Sequence, residues 1–124
     1  MIDLAVLYAL LRRVAGGKGI VSYEDLSRLF YEATGEWHEP HGTWDGPLAG
    51  VNGHARAAGL PPISALVTDQ PDAASGFGPP GSGFWESPGV PPRPRKPDDR
   101  LLVWMGFVNL AHRAAWPETL PGLG

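Results

Sequence analysis

The 124-residue chain is expected to fold as an α+β domain, and three features predict it. Apolar residues recur at three- and four-residue spacing in several separate stretches, the period of an amphipathic helix. Short runs with β-branched content, Gly19–Val21 and Ile63–Thr68, have the length of strands. Gly and Pro together form about a quarter of the chain, but unevenly. The 20 residues from Pro71 to Val90 hold five Gly and four Pro, whereas Ile2–Val14 holds neither. A collagen-like repeat or an evenly disordered chain would not show that contrast. The length suits one domain with one core. It divides into a helical core with the first strands (1–70), a Gly/Pro-rich loop (71–97) and a C-terminal helix (98–116).

Each element has a local reason. Over Asp3–Ala15, Leu4, Leu7, Leu11 and Val14 form one stripe, and Arg12–Arg13 sit near the end, where the helix dipole favours cations. Gly16–Gly17 stops that helix. Ser22 precedes Glu24 and Asp25 as an N-cap with acids in the first turn. Tyr23, Leu26, Phe30 and Ala33 make the second stripe, and Gly35 closes it. After the Trp37–Gly42 loop a third helix starts near Thr43 on Trp44, Leu48, Val51, Ala55 and Ala58, with Gly59 as its C-cap. Pro61–Pro62 leads into the Ile63–Thr68 strand. Asp69–Pro97 is mostly loop, because Gly76–Gly83 is too densely punctuated for a regular element. Phe84–Trp85 is a second short strand, and Pro88–Pro97 is expected as polyproline II. Asp98 or Asp99 caps the final helix, Arg100–Ala115. That helix is apolar almost all round and so is expected to be buried on several sides, or by a partner. Tyr23, Leu26, Phe30, Leu48, Val51, Leu66 and Trp104 are the predicted core.

Composition removes whole classes of function. The chain has no Cys, which excludes a disulfide scaffold, a thiolate metal site and a thiol nucleophile. The start lacks a basic signal-peptide region, and the longest apolar run, Leu4–Leu11, is far shorter than a membrane span. No membrane association and a cytoplasmic location are therefore expected. His38, Glu39, Pro40 and His41, with Asp45 and His54 nearby, are the single metal-like cluster. Pro40 prevents the helical H-E-x-x-H geometry, so neither a metal site nor any other cofactor is predicted. No Ser has a nucleophile-elbow context, and the glycine-rich segment lacks the Lys of a P-loop. Catalytic residues are predicted to be absent and the chain to be no enzyme.

The element order is that of a winged helix, a helix-turn-helix variant with a β-hairpin wing. Gly19-Ile20-Val21-Ser22-Tyr23-Glu24-Asp25-Leu26 resembles the "G-x-V-T-Y-G-x-I/L-A" segment that opens the DNA-binding region of O6-alkylguanine-DNA alkyltransferases and alkyltransferase-like proteins. Leu60-Pro61-Pro62-Ile63-Ser64-Ala65-Leu66-Val67 falls where that family carries "I-P-C-H-R-V-V". The similarity covers residues 4–90. It implies a third helix in a DNA groove and a glycine-rich wing. It does not imply the reaction. Ile63 stands at the acceptor cysteine, Ser64 and Ala65 replace the His and Arg, and Gly46 stands where the intercalating Arg would lie, so alkyl transfer has no nucleophile. Gly59–Val67 with Pro80–Phe84 is also similar to small bacterial and phage proteins of unassigned activity.

Two readings of partner follow from charge. Net charge is −3, and residues 35–70 carry Arg56 against Glu36, Glu39, Asp45 and Asp69. A DNA-contacting protein would use Asn52 and Arg56 on the third helix, Trp85 (with Phe77 and Phe84) on the loop, and the Arg93, Arg95, Lys96 and Arg100 cluster. The alternative is a protein-interaction module, such as a phage or mobile-element inhibitor of a host defence nuclease. It would turn Glu36, Trp37, Glu39 and Asp45 toward a basic nucleic-acid-binding protein.

Overall fold

The computed structural model describes residues 1–69 and 79–123, with Ser82 described by its backbone alone. It is an α+β arrangement of four helices and one small parallel sheet. Helix α1 spans Leu4–Gly16, and the Asp3 carboxylate accepts the N–H of Ala5 at 2.9 Å as its cap. Strand β1 (Val21–Ser22) runs directly into α2 (Tyr23–Thr34), where Ser22 Oγ accepts the N–H of Asp25 at 3.1 Å. Gly35 ends α2 in the left-handed conformation (φ 77°), where a Cβ would be strained. Helix α3 covers Asp45–Ala57, and α4 covers Pro97–Arg113. Lys96 occupies the α4 N-cap without a side-chain bond, with Pro97 opening the helix. Asp98 and Asp99 thus lie in the first turn rather than capping it.

The expected hairpin is absent among the described residues. Ile63–Leu66 is a 3₁₀ turn, not a strand, because Asn52 Oδ1 takes the backbone N–H of Ser64 at 3.2 Å and turns the segment toward α3. Only Val67–Thr68 is extended (β2). It pairs in parallel with β1, Val21 opposite Val67, across the crossover made by α2 and α3. Phe84–Trp85 also differs from expectation. It lies in a second 3₁₀ turn, Ser82–Glu86, closed by the Phe84 N–H on Gly81 O at 3.0 Å and the Ser87 N–H on Phe84 O at 3.1 Å. Thr68 and Pro80 meet in a single antiparallel bridge. Phe77 and the Gly76–Gly78 part of the expected wing fall outside the described residues.

All seven predicted core residues are buried, in one cluster that also takes Leu7, Leu11 and Ile63. Three of the buried indole N–H groups have a protein acceptor. Trp44 donates to Ser27 Oγ (2.9 Å), Trp104 to Ala65 O (2.9 Å) and Trp116 to Ala111 O (2.8 Å). Helix α4 is less buried than its composition predicts. Trp104, Val108 and Ala111 face the core, whereas Leu102 is 71% exposed and Leu110 51%. The chain after α4 returns over α1, where the Tyr8 hydroxyl donates to Pro117 O and Arg12 Nε to Trp116 O. This return buries Trp116 and Leu120. No helix among the described residues is long and apolar enough to cross a membrane.

Candidate binding cleft

Segments far apart in the sequence converge on one cleft of about 670 Å³. Tyr23, the first residue of α2, forms its inner wall because the Ser22 cap fixes where the helix starts. Asp45 opens α3, and Asp69 follows β2 directly. The 3₁₀ turn contributes Trp85, the proline-rich segment Arg93, and the first half of α4 supplies Arg100, Leu101 and Trp104. The volume lies in the range of sites for single small molecules or single residues of a larger ligand.

Close backbone approach builds the wall. A Cβ on Gly81 would lie 2.3 Å from the Tyr23 hydroxyl oxygen, and one on Gly83 would lie 2.6 Å from Asp45 Cγ. At Gly81 the buried Tyr23 ring leaves no room for a Cβ, and at Gly83 a Cβ would force the Asp45 carboxylate to move, a packing reason for glycines that composition reads merely as loop. The phenol sits in an acidic, desolvated environment. Burial pushes the Tyr23 hydroxyl up to about 12, and the Asp45 and then the Asp69 carboxylates add to the rise. The Gly81 backbone, hydrogen-bonded to the oxygen, works against them. Tyr23 is therefore a neutral hydroxyl at ordinary pH. Asp45 and Asp69 are the carboxylates that act on it, and Arg93 and Arg100 are the cations of the same lining.

The residues expected from sequence divide into three groups. Trp85, Arg93, Arg100 and Asp45 line the cleft together, although Asp45 had been grouped with Glu36 and Glu39. Arg95 and Lys96 are exposed beside it, and Arg56 is exposed on the last turn of α3, where its Cδ passes 3.9 Å from where a Gly89 Cβ would stand. Asn52 does not belong with them. It is fully buried, its Nδ2 donates to Ser64 Oγ at 2.7 Å and its Oδ1 accepts the Ser64 N–H, so it ties α3 to the 3₁₀ turn and cannot touch a ligand. Trp85 is a wall rather than a mobile stacking platform, 9% exposed and edge-on to Phe84 at 5.0 Å.

Glu36, Trp37 and Glu39 lie together and do not line the cleft, although Pro40, next in the chain, does. Trp37 is 52% exposed and sits edge-on to the equally exposed Tyr31 at 6.4 Å, and its indole N–H donates to Glu39 Oε1 at 3.4 Å. His38 and His41 part company. His38 packs edge-on between Phe30 and Trp44 with Nε2 3.6 Å from Glu36 Oε2, while His41 Nε2 is 3.3 Å from Glu24 Oε1 at the cleft. Among the described residues no three His, Asp or Glu side chains gather as a metal site would require. Sequence reasoning missed Tyr23 and Asp69 as cleft residues. Tyr23 had a signal, its place directly after a cap, but that reads equally well as core. Ile63, at the resemblance's acceptor position, is fully buried. Comparison with protein-family models, curated proteins and solved structures finds no match.

Proposed function

We propose that this chain is a non-enzymatic, winged-helix-like protein that contacts DNA through the cationic rim of the cleft. The observation that carries the reading is the run Arg93, Arg95, Lys96 and Arg100. None of the four is within ion-pair distance of a carboxylate among the described residues, and two of them line the cleft. Arg100 donates to the carbonyls of Pro94 (3.3 Å) and Arg95 (3.0 Å), which braces the loop carrying the other three. Carbonyl acceptors carry no net charge, so the cationic run keeps its field. Arginine at such a rim suits phosphate oxygens, to which it presents a planar fork of donors. Asp45 and Asp69, which also line the cleft, repel phosphate, so the contact stays at the rim. The helix pair α2–α3 is followed by a segment whose root is held by the Thr68–Pro80 bridge and by the Asp69 N–H on Pro79 O at 2.8 Å. That order supports the winged-helix comparison. The test is fluorescence anisotropy with duplex and single-stranded DNA at low salt. Wild type is expected to bind duplex weakly, and the triple Arg93→Gln, Arg95→Gln, Lys96→Gln to lose most of that binding. No binding to either nucleic acid at micromolar protein overturns the reading.

A second reading has its own observation, the exposed Tyr31–Trp37 pair beside Glu36 and Glu39. From residue 29 to residue 55 the sequence has no Lys or Arg. Half-exposed aromatic rings bordered by carboxylates are suited to Lys or Arg side chains of a basic protein surface. Reversing Glu36 and Glu39, neither of which lines the cleft, to Lys would slow that association without removing DNA binding at the rim.

A further inference from the structure

A second recess, of about 350 Å³, lies between the C-terminal ends of α1 and α4, lined by Arg12, Arg13, Lys18, His112 and Trp116 among others. It is separate from the cleft. Leu101 of the cleft and His112 of the recess sit on one helix, about 16 Å apart at 1.5 Å per residue. Its lining includes no Asp or Glu, and none of its three Lys or Arg side chains forms an ion pair among the described residues.

Two of the cations are held in place by backbone. Lys18 Nζ donates to His112 O, and Arg12 Nε donates to Trp116 O at 3.0 Å, which leaves the terminal nitrogens of Arg12 for another acceptor. His112 Nε2 lies 2.9 Å from Gly19 O, fixing the imidazole against the same loop. Lys18 has φ 56°, the one non-glycine in the left-handed region among the described residues, and it stands between Gly17 and Gly19. A glycine would adopt that conformation without strain, yet a lysine occupies it. Neutralisation of the helix ends does not account for the charge. Two helix C-termini contribute roughly one negative unit between them, against three full positive charges.

We infer that this recess is an anion site for a ligand of the phosphate class. Three converging cations exceed what one carboxylate needs, whereas a phosphate group offers several oxygens to guanidinium and ammonium donors at once. The phosphate can come from a free oligophosphate or from a nucleic-acid backbone. The inference is independent of DNA contact at the cleft rim.

The test is an amide-resolved NMR titration of the full chain with inorganic tripolyphosphate, and separately with a duplex oligonucleotide. Tripolyphosphate is expected to shift the amides around Arg13, Lys18 and Gly19 and near Trp116. Duplex DNA moving the same amides assigns the source to the phosphodiester backbone; tripolyphosphate alone doing so assigns it to a free oligophosphate. Lys18→Gly and Arg13→Gln should each weaken tripolyphosphate binding by about tenfold, the worth of one charge-assisted contact. Arg28→Gln, on α2 and outside the lining of the recess, should leave it unchanged. The melting temperature of Lys18→Gly separates a binding lysine from a structural one, because glycine relieves the positive φ. Lower melting with unaltered affinity overturns the inference, and so does tripolyphosphate that shifts no amides in the recess.

Discussion

Tyr23 and Asn52 are polar side chains placed where their chemistry is set by neighbours. Tyr23 is held neutral by burial and by Asp45 and Asp69, with its hydroxyl raised to about 12 against an ordinary 10. A phenol that ionises later in the folded chain than in the unfolded one contributes stability that is complete below pH 10 and is lost between about 10 and about 12. Tyrosinate absorbance followed against pH should show Tyr23 titrating late, alongside Tyr8, whose hydroxyl is also raised by burial, and Asp45→Asn should move the Tyr23 component earlier. Asn52 makes a different prediction. Asn52→Ala leaves the buried Ser64 N–H without its acceptor, and the loss should be about 1–3 kcal/mol by urea denaturation. The DNA affinity of the folded variant should be unchanged, because the amide faces Ser64 and not solvent. A selective loss of DNA affinity at full stability would return Asn52 to the interface.

At the scale of elements, the two 3₁₀ turns carry much of what a strand was expected to do. Leu66 ends the first of them, fully buried beside the Trp104 indole that bonds Ala65 O. Leu66→Ala should cost about 2–5 kcal/mol, as for other fully buried leucines that leave a cavity. Leu102, 71% exposed on α4, is the contrast within the same fold. Leu102→Ala should fall within about 0.5 kcal/mol of wild type, the range of ordinary surface changes. Equal losses at the two positions would mean that α4 presents a different face to the core. The apolar residues around α4 thus divide into one buried stripe, Trp104, Val108 and Ala111, and a solvent side that carries Leu102 and Leu110.

At the scale of the whole molecule, function turns on how ten cations and thirteen carboxylates are distributed. The net charge of −3 gives no general attraction to DNA, so the proposed binding rests on local contacts. If Arg56, Arg93, Arg95, Lys96 and Arg100 supply four or five phosphate contacts, log K should fall with log salt at a slope of about −4. The Arg93, Arg95 and Lys96 triple variant should flatten that slope to about −1 or −2 on the same relation. A salt-independent affinity would mean that these side chains do not meet phosphate.

The four helices were legible in the sequence because their causes are local. Apolar spacing, the Asp3 and Ser22 caps and the Gly35 stop all act within a few residues, where hydrogen bonds close between near neighbours. Tyr23, Leu26, Phe30, Leu48 and Val51 follow from the same stripes, whereas Leu66 follows from an expected strand and Trp104 from the apolar last helix. Ile63–Leu66 was not legible, since its choice of turn over strand depends on a bond from Asn52 on another element. Nor was the cleft. Tyr23, Asp69, Trp85 and Arg100 meet only after β1 and β2 pair and Gly81 and Gly83 seat against Tyr23 and Asp45. Periodicity says which face of an element is apolar; which elements then share a wall is decided by packing between residues distant in the chain, and that information exists only in the folded molecule.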